Sequence, residues 1–300
     1  MELLAVISYP PIPIFEVGPL RLSLHGVFAG VGFMAGAYYG LKIFHARGFD
    51  ATRFQSALTW ALVGALLGAR WLTLPAYWVE NGFDLGEMIN IGGNYSILGG
   101  FAGGIGLGVF RAYRLGLRIW PTLDVTAFGL AIGTIVGRIG DLAIVEHLGG
   151  PTDFFLGYGI RPGYDVAPQH NRLECTVAEV GEYCGIYHHA AFYDMLGAIV
   201  LFGVLYWLYH RSRLVLRYGQ LFAVWVAWYG FQRLFIDFTR LALDVDGDRT
   251  LGALTWSQWS GLAAGIAGIA GLLWLGRRNR AVSPENDRLH GAVTTAPEPD

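Results

Sequence analysis

Charged residues are scarce in this chain. Asp, Glu, Lys and Arg make up 15% of its 300 residues, whereas 54% of the residues are hydrophobic. A soluble domain ordinarily carries about 25% charged residues, so the composition excludes an ordinary water-soluble protein. The 21 basic and 23 acidic residues nearly balance, which leaves no overall positive field to hold nucleic acid. We therefore expect an integral membrane protein that does not bind nucleic acid.

Cysteine is scarcer still. The two cysteines, Cys175 and Cys184, lie in one polar stretch between apolar segments. A zinc site needs more ligands than two cysteines supply, and nothing else in the sequence predicts a metal or a cofactor. If this stretch is exported, oxidising conditions favour a disulfide between the two cysteines, with two free thiols as the alternative.

Seven apolar windows predict membrane-spanning helices, each of which needs about 20 residues. The third window is short, so we expect it to borrow residues 91–95 or to let Arg111 reach the membrane surface. The predicted fold is therefore all-α, with seven transmembrane helices. The windows are residues 22–44, 54–78, 96–110, 123–144, 190–210, 221–238 and 256–275.

The basic residues between these windows predict the orientation of the chain. Thirteen Lys and Arg residues fall on one side of the predicted membrane and five on the other, and the richer side is ordinarily cytoplasmic. This places the N-terminus outside, with no cleaved signal peptide expected, and the C-terminus in the cytoplasm. We expect one transmembrane domain over residues 1–280, a small extracytoplasmic head at about 147–189, and a disordered tail at 281–300.

Ionisable residues inside the apolar windows are the strongest functional signal. An ionisable side chain at membrane depth costs at least about 2.5 kcal/mol, so each needs a partner, water or a function. Arg233, Asp237 and Arg240 fall at helical spacing on one stripe of the sixth window. A structural ion pair between two helices is the alternative interpretation of such a stripe.

A second polar cluster, Arg138 with Asp141, ends the fourth window and is flanked by Gly137 and Gly140. Glycine lets helices or a ligand approach the backbone closely. Two guanidinium groups arriving from different helices suit a phosphate, because each offers a two-pronged hydrogen-bond donor and stays charged. In a membrane, the abundant phosphate belongs to a lipid headgroup.

Several motifs occur together in an order that resembles one family of bacterial membrane enzymes. The longest of them runs from Gly137 and Arg138 through Asp141 and Glu146 to the residues at 149–152. The other pieces are Gly18-Pro19-Leu20 with His25-Gly26, Gly68-Ala69-Arg70, Gly99-Gly100, His188 with Tyr193-Asp194, and Gly219-Gln220-Leu221-Phe222 leading through Tyr229-Gly230 to Arg233 and Asp237.

From about residue 14 to residue 275, the chain resembles prolipoprotein diacylglyceryl transferase. The resemblance implies transfer of the diacylglyceryl group from phosphatidylglycerol to the lipobox cysteine of a secreted prolipoprotein, with release of glycerol phosphate. It implies an enzyme of the bacterial plasma membrane whose partners are phosphatidylglycerol, other membrane lipids and the signal-peptide region of prolipoproteins. Arg138 and Arg233 would stabilise the departing phosphate. The residues expected to bind substrate are Asp141, Glu146, Asp237, Gly99, Gly100, Arg70, Gly137 and Gly140.

The sequence departs from the family pattern at positions that matter for catalysis. Where the family has a histidine implicated in catalysis, this chain has Leu98, which cannot move a proton. A tyrosine of the family is replaced by His25, an asparagine by Asp141 and a glutamate by Asp237, and an arginine is replaced by Gly150. One hypothesis is that His25 serves as the base instead, since imidazole titrates near neutral pH; a structural role for this histidine is the alternative.

Two other functions compete with an active transferase. A diverged, non-catalytic relative would bind phospholipid or lipoprotein in the same cavity, which Leu98 favours. A small-solute transporter would also have intramembrane charges, but the sequence shows no inverted repeat, and its polar cluster lies toward the outer face and not at mid-membrane.

Overall fold

The computed structural model describes residues 6–13, 15–17, 20–89, 96–146, 148–164, 166, 178–179, 181–210, 215–240 and 250–283. The residues at 91–95, which were predicted to extend the third window, lie outside this part of the chain, as do Cys175 and most of the predicted tail.

The described residues are mostly helical. Each of the seven apolar windows contains one long helix, and α1, α5, α6 and α8 are long and apolar enough to cross a membrane. The helices are α1 Leu24–Ala46, α2 Ala51–Trp71, α3 Leu74–Asn81, α4 Ile97–Arg114, α5 Ile119–Ala143, α6 Ala190–His210, α7 Gln220–Arg240 and α8 Trp256–Arg278.

Two helix ends differ from the sequence prediction, each for a local reason. The second window was predicted to run to residue 78, but α2 ends at Trp71 and a separate short helix, α3, carries Pro75 in its first turn. Proline cannot occupy a helix interior without losing a hydrogen bond, whereas the first turn tolerates it. Ser96 caps α4 by accepting a hydrogen bond from the Gly99 backbone N–H at 3.2 Å, so α4 begins there and its last turn contains Arg111.

An all-α description is incomplete, because the predicted head contains a small sheet. Strands β3 (Leu148–Pro151), β4 (Tyr158–Ile160) and β5 (Gly185–His189) pair antiparallel in the order β3-β5-β4. Periodicity in the sequence missed these strands, since each has at most five residues and includes glycine or proline. Two further hairpins pair β1 (Phe15–Val17) with β2 (Leu20–Leu22) and β6 (Thr250–Leu251) with β7 (Leu254–Thr255).

The N-terminal segment completes the head. The Ile7 backbone N–H donates to the Gly157 carbonyl at 3.0 Å, and the Gly159 N–H donates to the Ile7 carbonyl at 2.9 Å. The fully buried Tyr158 anchors a core in which Leu148 and four other buried residues take part. Cys184 is in a disulfide. That its partner is Cys175 remains a prediction, because Cys175 lies outside the described residues.

The chain divides into two compact units. The first comprises residues 1–39 and 126–279, which include the head sheet, α6, α7 and α8. The second comprises residues 40–125 and 280–300, which include α2, α3 and α4.

Glycine on both helices lets α2 and α4 pack backbone to backbone in the second unit. A Cβ atom on Gly64 would lie 2.8 Å from the carbonyl carbon of Gly103, and one on Gly103 would lie 3.0 Å from Cα of Gly68. Real Cβ atoms do not come so close to a backbone, so larger residues would force the helices apart.

We therefore expect Gly103→Ala to lower the free energy of unfolding by about 1–3 kcal/mol, as overpacking does. The matched control is Gly106→Ala on the same helix, where an added Cβ meets nothing within 4 Å. Alanine favours helix over glycine, so this control should lose no stability. Thermal unfolding of the detergent-solubilised protein measures both variants, and equal effects would contradict the packing argument.

A buried histidine makes the stability of the head depend on pH. Burial lowers the pKa of His189 to about 4, from about 6.5 in the unfolded chain. Between these values the unfolded chain binds a proton that the folded chain does not, so stability falls as the pH is lowered from about 6.5 to 4. The loss should reach roughly 3 kcal/mol. Unfolding temperatures measured from pH 7.5 to 4.5 should show it, and His189→Gln should flatten that slope. If the unfolding temperature of His189→Gln depends on pH as strongly as that of the wild type, groups other than His189 cause the pH dependence.

Candidate active site

Glycine residues bring α1 and α5 together in the first unit. A Cβ atom on Gly140 would lie 2.6 Å from the Leu24 carbonyl oxygen and 2.9 Å from Cα of His25. Further along the two helices, a Cβ on Gly32 would lie 2.7 Å from the Gly133 carbonyl oxygen. The glycine at 140 therefore allows the first turn of α1 to lie directly against the end of α5.

The close packing of α1 against α5 brings His25 into contact with Asp141. The buried Asp141 carboxylate accepts a hydrogen bond from Nδ1 of His25 through one oxygen and from the Arg138 guanidinium through the other. A carboxylate can only accept, so Nδ1 carries the proton and Nε2 is the basic nitrogen of the ring. The His25 side chain is 48% exposed.

Glu146 is the second carboxylate near His25. Its Oε2 lies 3.8 Å from Nδ1 of the imidazole, too far for a hydrogen bond. Glu146 follows the end of α5, and burial raises the pKa of its carboxyl group. The direct partner of the imidazole is therefore Asp141.

Arg138 bridges two helices. Its other terminal nitrogen donates to Asp194 of α6 at 2.6 Å, and its side chain is 16% exposed. Asp194 also accepts from the Gln232 side-chain amide of α7 at 3.1 Å. Sequence reasoning left Asp194 out of the site. An acidic residue five positions into an apolar window was the signal that could have found it.

Arg233 forms the second half of the site, on α7. Its Nε donates to the Ser257 hydroxyl of α8 at 2.7 Å, and its guanidinium lies 3.6 Å from the buried Asp237 carboxylate. The other oxygen of Asp237 accepts from the Thr255 hydroxyl at 2.6 Å, and Thr255 caps α8. Arg240 lies 3.7 Å from the same oxygen of Asp237 that Arg233 approaches. Arg233 and Asp237, which were predicted to lie on one face of this helix, therefore also attach the start of α8 to α7.

Tyr229 lies one helical turn before Arg233 and within electrostatic range of both Arg233 and Arg138. Sequence reasoning did not place Tyr229 in the site, because a tyrosine in an apolar window is ordinarily an interfacial or packing residue. Both guanidinium groups, Tyr229 and the His25 pair belong to the same unit of the chain.

Residues 12–274 match the family model of prolipoprotein diacylglyceryl transferase. The chain belongs to this family. The resemblance stated from the sequence motifs is thereby confirmed.

Similar proteins named phosphatidylglycerol–prolipoprotein diacylglyceryl transferase come from diverse bacteria. The protein of Synechococcus elongatus is 26% identical over 280 residues, which are 92% of this chain and 91% of the relative. That of Thermus thermophilus is 31% identical over 234 residues, 73% of this chain and 79% of the relative. That of Frankia alni is 28% identical over 295 residues, 96% of this chain and 73% of the relative.

Three residues predicted to bind substrate lie in the second unit, and the structure shows them in packing roles. The buried Arg70 guanidinium donates to the Glu87 carbonyl at 2.8 Å and pairs with the Glu87 carboxylate. Gly99 lies against Gly68 of α2, and Gly100 lies close to α2 as well. That these three residues bind the lipid substrate remains a prediction.

Gly137 differs from its neighbour in the motif. An added Cβ there would meet nothing within 4 Å, so packing does not demand glycine at 137 as it does at 140. Close approach of a substrate to the backbone, as predicted for Gly137, would provide a reason for glycine.

Among the residues that the structure describes, His25, Asp141 and Glu146 form a donor set that could reach one metal ion, with atoms within 4.8 Å of one another. However, the Arg138 guanidinium already neutralises the Asp141 carboxylate. We therefore interpret these contacts as an ion-paired hydrogen-bond network.

Proposed function

We propose that this protein transfers the diacylglyceryl group of phosphatidylglycerol to the cysteine thiol of a secreted prolipoprotein. The thiol sulfur forms a bond to the glyceryl carbon that carries the phosphate. The bond between this carbon and the phosphate oxygen breaks, and glycerol phosphate leaves. The observation that carries the proposal is that two largely buried arginines, Arg138 and Arg233, lie in the same unit and are each held by fixed partners.

The arginines are suited to the departing phosphate. Negative charge grows on the phosphate as the carbon–oxygen bond breaks, and fixed donors in a water-poor site stabilise that charge strongly. Arg138 is held by Asp141 and Asp194, and Arg233 by Ser257, so neither guanidinium must be ordered during the reaction. Carboxylates also balance the positive charge before the lipid arrives.

The acceptor thiol must lose its proton, and we assign this step to His25. Its ring is held by Asp141 through Nδ1, and the side chain as a whole is about half-exposed. A carboxylate that orients an imidazole in this way selects the reactive tautomer and stabilises the protonated ring. Asp141 is thus a positioning residue, and its pairing with His25 compensates for Leu98.

We also propose the finer topology. The seven long helices would each cross the bacterial plasma membrane, with the N-terminus and the head outside and the C-terminus in the cytoplasm. α2 and α7 carry the charged residues Arg70 and Arg233, which find partners inside the protein. The signal-peptide region of the prolipoprotein would then meet His25 at the outer end of α1.

A second candidate function is a non-catalytic relative that binds phospholipid or lipoprotein in the same site. Leu98 favours it, because the side chain at this position has no proton to exchange. The hydrogen bond between His25 and Asp141 favours the enzyme.

The deciding experiment is a transfer assay. Purified protein in phosphatidylglycerol vesicles is incubated with a peptide that carries the acceptor cysteine, and mass spectrometry reads whether the cysteine gains a diacylglyceryl group. Transfer at a rate comparable with that of a catalytically active relative supports the enzyme. No mass gain, with that relative active alongside, would favour the non-catalytic, lipid-binding function.

A further inference from the structure

Gln232 is a polar residue inside α7 to which the chemistry described above gives no role. It lies directly before Arg233 in the chain. The Trp228 indole N–H donates to Oε1 of the Gln232 side-chain amide at 2.7 Å. An indole can only donate, so the amide oxygen faces Trp228 and the amide nitrogen, Nε2, is the atom that reaches Asp194 on α6. The amide of Gln232 therefore has one defined orientation.

The amide nitrogen holds Asp194 at two points. Nε2 of Gln232 donates to Oδ1 of the Asp194 carboxylate and to the Asp194 main-chain carbonyl, both at 3.1 Å. The second carboxylate oxygen, Oδ2, accepts from the Arg138 guanidinium at 2.6 Å. Asp194 is buried, so little water competes for its oxygens and each hydrogen bond orients the carboxylate strongly. A chain of hydrogen bonds thus runs from α7 through α6 to Arg138 on α5.

A glycine on α6 makes room for the amide. A Cβ atom on Gly197, which follows Asp194 by about one helical turn, would lie 2.8 Å from Nε2 of Gln232. Real Cβ atoms do not come so close to another heavy atom, so any side chain at 197 would displace the amide. The space that Gln232 occupies therefore depends on glycine at 197.

Both arginines of the proposed site are thereby tied to α7. Arg233 belongs to this helix, and its neighbour Gln232 holds Arg138 through Asp194. We propose that Gln232 is a positioning residue that fixes the Arg138 guanidinium where it can bind the departing phosphate together with Arg233. This proposal rests on the proposed function. A neutral amide suits the role, because it orients the carboxylate without adding a charge that would compete with the phosphate for Arg138.

The first test is Gln232→Met, which keeps the length of the side chain and removes its hydrogen bonds. Arg138 contributes most once charge has developed on the phosphate. A misplaced guanidinium should therefore lower kcat at least about fivefold and leave KM for phosphatidylglycerol within about twofold of the wild type. Transfer is measured as the mass gain of the acceptor peptide in phosphatidylglycerol vesicles. Gln232→Met at the wild-type kcat would overturn the proposal.

A second variant displaces the amide without removing it, and it also covers a failure of Gln232→Met to fold. Gly197→Ala should push the Gln232 amide away from Asp194 and lower kcat in the same way. Its matched control is Gly203→Ala on the same helix, where an added Cβ meets nothing within 4 Å and kcat should not change. Equal kcat values for the two glycine variants would contradict the proposed role of the amide.

A double-mutant cycle separates positioning from packing. Asp194→Ala leaves no carboxylate for Gln232 to hold, so adding Gln232→Met to it should lower kcat by less than about a further twofold. Added to Arg233→Lys, the same change should lower kcat by its full factor, because Arg233 is not part of the hydrogen-bond chain. A full loss in the Asp194→Ala background would show that Gln232 acts by another route, and the proposal would fail.

A binding measurement separates this proposal from the proposed function. Glycerol phosphate carries the charge that the phosphate gains during the reaction, and its titration onto the detergent-solubilised full chain needs no turnover. The wild type should bind it at least about fivefold more tightly than Gln232→Met does. This difference without any transfer would overturn the proposed function and retain the positioning role. Transfer with equal kcat in the wild type and Gln232→Met would overturn the positioning role alone, and neither transfer nor binding by the wild type would overturn both.

Discussion

Replacing Arg138 with alanine should lower the rate of diacylglyceryl transfer by about 10²–10³-fold, the usual loss when one donor to a developing oxyanion is removed. Arg233→Ala should act in the same direction, because we propose that its guanidinium binds the same departing phosphate. The rate is measured as the mass gain of the acceptor peptide in phosphatidylglycerol vesicles. Arg161→Ala is the matched control, since Arg161 pairs with the exposed Glu182 on the head and should retain full activity.

Loss of activity in Arg138→Ala has a structural explanation that must be separated from the catalytic one. Removing this arginine leaves the Asp141 and Asp194 carboxylates buried without their cation, which can destabilise a protein by about 3–5 kcal/mol. Arg138→Lys retains the charge but cannot offer two parallel donors to a phosphate. We expect it to unfold near the wild-type temperature and still to lose at least about tenfold in rate. If Arg138→Lys transfers the diacylglyceryl group at the wild-type rate, Arg138 does not bind the phosphate through two parallel hydrogen bonds.

Replacing His25 with alanine should lower kcat/KM by about 10²–10⁴-fold, which is the contribution of a general base. The wild-type rate should fall on acidification as the imidazole becomes protonated, and the residual rate of His25→Ala should lack that dependence. Asp141→Asn, which keeps the size of the side chain but not its charge, should also lower the rate, because it removes the charge that stabilises the protonated ring and one carboxylate partner of Arg138. His25→Ala at full activity would remove the histidine from the mechanism.

The family pattern offers a rescue experiment for the same question. The triple variant Leu98→His, His25→Tyr, Asp141→Asn carries the residues that the family pattern has at these three positions. We expect His25→Tyr alone to be inactive and the triple variant to regain transfer. Full activity of His25→Tyr alone would show that the pair of His25 and Asp141 does not replace the missing histidine.

The structure joins residues that the sequence could present only as separate substitutions. His25 and Asp141 are 116 positions apart, and the sequence showed each as an isolated departure from the family. Gly140 decides that they meet, because any Cβ there would keep the first turn of α1 away from α5. Asp194 was missed for the same reason, since its partner Arg138 is on another helix.

The sequence by itself determined the apolar helices, the two arginines and the family. Hydrophobic length and the rarity of intramembrane charge are local properties, and motif order is read directly along the chain. Periodicity could not find the sheet at 148–189, because its strands are short and stabilised by contacts with the distant Ile7. Only the tertiary structure decided which carboxylate holds which cation, because the choice depends on helix approach, and helix approach depends on where glycine allows two backbones to touch.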